Sequence, residues 1–161
     1  MIARKHIIGI ICIAIVLFVA CKKDPTEHLL ELDLLSHGMP IVIKAPENPE
    51  IRKMDLILTK DLTVVKGDDY SVQIFESEAY TRDVGAVKSR VLGEVKSNPY
   101  FFAIVQDDPA GFIYESRVDS NYTNYGFRHV RIQADKEYVF QQGLRGKFTL
   151  DAIKMMYAAV Q

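Results

Sequence analysis

The chain has 161 residues, enough for one domain, and its 48% hydrophobic and 25% charged composition excludes a disordered or fibrous protein. Twenty basic residues against 21 acidic ones leave a net charge of −1, so neither a polyelectrolyte nor a nucleic-acid partner is implied. Two cysteines and no tryptophan argue against a disulfide framework and against a cysteine-rich metal cage.

Arg4 and Lys5 precede an apolar run from Ile7 to Ala20, which gives way at once to Cys21, Lys22, Lys23, Asp24 and Pro25. A short basic stretch, an apolar run and a small residue make a secretory signal pattern. As a helix the run is about 21 Å long, short of the roughly 30 Å hydrocarbon core, so it is expected to be removed rather than to span. The two cations hold the N-terminus in the cytoplasm while the rest is translocated.

Leu17-Phe18-Val19-Ala20-Cys21 resembles the lipobox of bacterial lipoproteins. The resemblance implies diacylation of the Cys21 sulfur, cleavage between Ala20 and Cys21, and acylation of the new amino terminus. Several acyl chains on one residue anchor stably, since each buried CH₂ contributes roughly 0.8 kcal/mol. Cys12 leaves with the apolar run and Cys21 is taken by lipid, so no disulfide serves the fold. Loss of Arg4 and Lys5 leaves 18 basic against 21 acidic residues, a net charge of −3. The expected organisation is a signal peptide over 1–20, a lipidated tether over 21–28 and a single α+β domain over 29–161. Lys22, not an aspartate, follows the cysteine, so the inner-membrane retention signal is missing. By resemblance to lipoproteins of diderm bacteria, that favours the outer membrane, with the domain either periplasmic or surface-exposed.

Asp24-Pro25-Thr26-Glu27 has the composition of a helix start, and Leu29, Leu30, Leu34 and Leu35 share one helical face before Gly38. A strand through Leu30, Leu32 and Leu34 competes with that helix. Met39 to Lys44 reads as a short strand, and Pro46 and Pro49 mark a loop. Strands are expected over Met54 to Lys60, Leu62 to Lys66 and Tyr70 to Glu76, the last two joined by a Gly67-Asp68-Asp69 turn. Thr81-Arg82-Asp83 opens an amphipathic helix with Val84, Val87, Val91, Leu92 and Val95 on one face, ended by Asn98-Pro99. Four strands follow, over Tyr100–Gln106, Gly111–Val118, Tyr125–Ala134 and Glu137–Gln142. The stretch from Asp119 to Gly126 reads as a polar loop with exposed tyrosines. Thr149 opens a terminal helix with Leu150, Ile153, Met156, Tyr157 and Val160 on one face.

Runs of antiparallel strands covered by amphipathic helices argue an α+β class. With Tyr70 to Ile74, Lys88 in its helix, Tyr138 to Phe140, and Ile153 to Tyr157, the order of elements resembles the PsbP-like family over residues 30 to 160. That resemblance implies an α/β/α sandwich.

The chain has no Gly-x-Ser-x-Gly elbow, Walker loop, dinucleotide glycine motif or His-Glu-x-x-His, so no catalytic residue, cofactor or metal ligand is nominated. Asp68-Asp69 and Asp107-Asp108 lack calcium-loop spacing and read as turns. Gly143 to Lys147 reads as a loop before a capped helix. Tyr122 and Tyr125, with Asn121 and Asn124, suit carbohydrate or protein recognition, because tyrosine brings a rigid apolar face with a polar tip. Phe127, His129 and Arg131 alternate against Arg128, Val130 and Ile132, which makes Tyr122, Tyr125, Phe127, His129 and Arg131 the expected binding surface. The expected function is that of a membrane-anchored, non-enzymatic accessory or binding module with an envelope protein partner. A small envelope enzyme using an Asp/His129 site and an assembly factor of an envelope complex are the rival readings.

Overall fold

The computed structural model describes residues 24–55, 59–119, 122–144 and 146–161; the signal pattern and the lipobox lie outside the described residues. A small hairpin comes first, β1 (Leu30–Asp33) and β2 (Val42–Ala45), linked by a 3₁₀ turn over Leu35–His37. Three strands follow, β3 (Glu50–Asp55), β4 (Lys60–Lys66) and β5 (Tyr70–Glu78), then helix α1 (Val84–Lys96). Next come β6 (Phe101–Asp108), β7 (Gly111–Asp119), β8 (Tyr122–Gln133) and β9 (Lys136–Gln142), and finally helix α2 (Leu150–Ala159). Strands β3 to β9 form one antiparallel sheet in the order β3-β4-β5-β9-β8-β7-β6. The class is α+β.

Helices cover both faces of this sheet, which is why β7 and β9 carry apolar residues at successive positions, Phe112-Ile113-Tyr114 and Tyr138-Val139-Phe140, rather than at alternate ones. Phe112 and Ile113 are adjacent, both fully buried, and belong to opposite cores. On one face α2 and the β1–β2 hairpin pack Ile153, Met156, Tyr157, Leu34 and Ile41 against Val64, Ile74, Phe127 and Phe140. On the other, α1 sets Val87, Val91 and Val95 against Phe112 and Val130. The helix starts are capped as their sequences predict: Asp83 accepts from the Ala86 amide at 3.1 Å, and Thr149 Oγ1 from the Ala152 amide at 3.2 Å.

Three expectations need correction. The expected N-terminal helix is a turn followed by β1: Asp24 Oδ1 accepts from the amide and hydroxyl of Thr26, both at 2.8 Å, and the leucines pair with β2. An isolated helix of that length is marginal in water, and strand pairing overrides it. The strand expected over Met54 to Lys60 lies earlier, at Glu50–Asp55, and Lys60 already belongs to β4; residues 56–58 lie outside the described residues. The expected polar loop before Tyr125 is strand from Tyr122 onward, because β7 carries the pairing out to Arg117↔Thr123 and Asp119↔Tyr122. Thr26 is buried and accepts from Lys44 Nζ at 2.9 Å.

Candidate functional site

The strict alternation of β8 sends its residues to two different environments. Tyr125, Phe127, His129 and Arg131 face α2, whereas Tyr122, Asn124, Arg128 and Val130 face the side of α1. The residues expected to form one surface are therefore divided by the sheet. Phe127 is fully buried in the core and Tyr125 packs against it. Arg131 is occupied by main-chain carbonyls: it donates to Val160 O at 2.8 Å and to Val42 O at 3.3 Å, and it lies 5.2 Å from the Phe140 ring centre. A cation here satisfies orphan carbonyls at the end of α2 and ties the β1–β2 hairpin to the sheet.

His129 is buried between Phe140 and Tyr157, at ring-centre distances of 5.7 and 6.0 Å, and its Nδ1 has no partner among the described residues. Burial, then the charge of Arg131, pushes its pKa down to about 4, with Asp108 opposing. Asp108, the last residue of β6, accepts from the Tyr157 hydroxyl at 2.9 Å, and it lines one open cavity of about 440 Å³ with Tyr157 and His129. Lys88 pins the end of β6 to α1, donating to Asp108 O at 2.5 Å and pairing with Asp107 Oδ1 at 2.6 Å. Asp107-Asp108, expected as part of a turn, is instead the paired end of β6, with the turn itself at Pro109-Ala110, and no group of three or more metal-ligating side chains occurs among the described residues.

The better-formed recess is a groove of about 350 Å³ on the α1 side. Its floor is the extended end of β7 and β8, with Tyr114, Ser116, Asn124 and Arg128. Its walls are Glu94, Val95 and Asn98 from α1 and its exit, with Tyr100 just before β6 and Phe101 at its start, and Tyr122 at the mouth. The register explains the floor. Ser116 faces Asn124, Tyr114 faces Gly126 and Phe112 faces Arg128, so a missing side chain at Gly126 leaves room for the Tyr114 ring to lie across β8. Arg128 lies 5.6 Å from the centre of that ring and donates to Phe127 O at 2.8 Å. No described carboxylate forms an ion pair with it, since Glu94 is held by Arg90 at 2.8 Å. Lys147 stands 4.3 Å over the Tyr122 ring, a second cation at the mouth. Tyr122 and Asn124, which the sequence singles out as a candidate recognition pair, line this groove. Tyr100, Tyr114 and Arg128 are not singled out there, because they join the groove only through strand pairing.

Comparison with protein-family models, with characterised proteins and with solved structures finds no match for this chain.

Proposed function

We propose that the protein is an envelope lipoprotein, anchored by lipid on Cys21 in the outer membrane, acting as a non-enzymatic binding or accessory module with an envelope protein as partner. The observation that carries this reading is the groove's position relative to Asp24, which follows Cys21 by three residues. Only Lys22 and Lys23 separate Cys21 from Asp24, so a lipid on Cys21 holds Asp24 within about 10 Å. Lys44, which grips Thr26 beside Asp24, is itself tied to the start of β5 through Tyr70, whose hydroxyl donates to Lys44 O at 2.6 Å. The start of β5 is the end of the sheet at which β9 finishes and β8 extends outward to Tyr122. Asp24 and the groove both lie towards that end, with the β1–β2 hairpin on the α2 face and the groove on the α1 face, and a tethered site sees a high local concentration of anything held in the same membrane.

Helix α1 on one sheet face and α2 on the other support the finer fold reading, a PsbP-like α/β/α sandwich. The rival enzyme reading has its residues together, since Asp108 and His129 share a cavity. Its weakness is the base: general acid–base work favours a pKa near the working pH, and His129 is pushed to about 4. Labelling of the full chain with a fatty-acid probe, followed by crosslinked recovery from the envelope, tests the proposal. A Cys21-dependent label and a stoichiometric partner are expected; undiminished labelling of Cys21→Ala overturns the anchor.

A further inference from the structure

We infer that the groove beside α1 takes two or more rings of an acidic sugar chain, a uronic-acid oligomer, with Arg128 on a carboxylate and the tyrosines on the ring faces. This rests on the binding-module reading above and names its ligand. Four residues along β8 separate Asn124 from Arg128, about 14 Å at ~3.4 Å per residue, so the recess is long rather than round. Its volume is at the low end of ligand-sized pockets, ~300–1,000 Å³. A compact anion needs converging donors, whereas here the polar groups are strung out: Arg128 at one end, Ser116 paired with Asn124 further along, and Lys147 at the mouth.

Ser116 and Asn124 make no side-chain hydrogen bond among the described residues, so hydroxyl donors and acceptors find free partners there. Between them and Arg128 lies Tyr114, with Tyr122 and Tyr100 alongside, and flat aromatic surfaces match the C–H face of a pyranose. The charge requirement comes from Arg128, whose guanidinium forks well onto a carboxylate and has no described one to pair with. Arg90 holds the only groove-lining carboxylate among the described residues, that of Glu94, and so lowers its repulsion of an incoming anion. A neutral glucan would leave Arg128 unanswered, and an inorganic anion would leave the aromatic faces unused.

The test uses the full chain purified from membranes in detergent, titrated with trigalacturonate, maltotriose and inorganic phosphate. Calorimetry is one readout; tyrosine emission is the other, undisturbed by tryptophan because the chain has none. Saturable binding of trigalacturonate, weakened by salt, at least tenfold weaker in Arg128→Gln and severalfold weaker in Tyr122→Ala, is expected. Tyr122→Ala, at the mouth, keeps the test decisive should Arg128→Gln fail to fold. Equal binding of maltotriose, equal binding of phosphate, or no binding at millimolar trigalacturonate overturns the inference. Fatty-acid labelling of Cys21 is scored on the same preparation. A labelled protein that ignores the sugar leaves the tethered-module reading standing without this ligand, and an unlabelled one that binds it does the reverse.

Discussion

Tyr122 and Tyr125 lie three residues apart on β8 and on opposite faces of the sheet: one ring stands under Lys147 at the mouth of the groove, the other packs onto the core beneath α2. Truncation should separate these roles. Tyr125→Ala is expected to cost about 1–2 kcal/mol of stability through lost packing, and Tyr122→Ala no more than about 0.5–1 kcal/mol, the value of an exposed cation–π pair. Urea unfolding of the two variants side by side checks this; equal losses would place both rings in the core.

Gly126 shapes the groove by absence. A Cβ there would stand 2.5 Å from Tyr114 Cζ and 2.6 Å from the hydroxyl oxygen, so the ring must move. Gly126→Ala is expected to weaken groove binding severalfold and to destabilise by about 1–3 kcal/mol, the usual range for overpacking. Full stability together with unchanged binding would mean that Tyr114 does not form the floor.

Val91 is buried between α1 and the sheet, against Phe112 and Val130. Val91→Asp puts an unpaired charge into that core and is expected to cost more than about 3 kcal/mol. Leu92→Asp, one residue on and half-buried, should cost less. Denaturation midpoints of the pair test which face of α1 packs.

His129 links stability to acid. Folding lowers its pKa from 6.5 to about 4, chiefly by burial, so across that interval the unfolded chain binds a proton that the folded one refuses. Its contribution is whole above pH 6.5 and is lost as the pH falls towards 4, by at most about 1.4 kcal/mol per unit. His129→Phe keeps a ring between Phe140 and Tyr157 and removes the titration. Between pH 7 and 4 the variant is expected to lose about 2–3 kcal/mol less than the parent in urea unfolding. Parallel losses would show that His129 does not titrate as its burial dictates.

Local chemistry made several elements readable from the residues alone. Asp83 and Thr149 announce their helices because a cap bonds amides two or three residues away, and the valines of α1 recur at the helical period. The β4–β5 turn was equally plain, with Gly67 at φ +59°. The leucines from Leu29 to Leu35 suited either a helix or a strand, and only pairing with Val42–Ala45 decided between them.

The candidate site divides the same way. Composition, the basic start, the apolar run and Cys21 raise the expectation of a secreted, lipid-anchored chain without reference to any fold, because signals of that kind are read along an extended chain. Alternation along β8 was visible too, but its meaning was not: a period of two says that neighbours part to opposite faces, and is silent on what covers each face. Covering both faces buried Phe127 and His129, spent Arg131 on the end of α2, and left Arg128 in the groove with Tyr122 and Asn124. Those outcomes depend on segments more than twenty residues away in the chain, and contacts at that separation exist only once the sheet has closed.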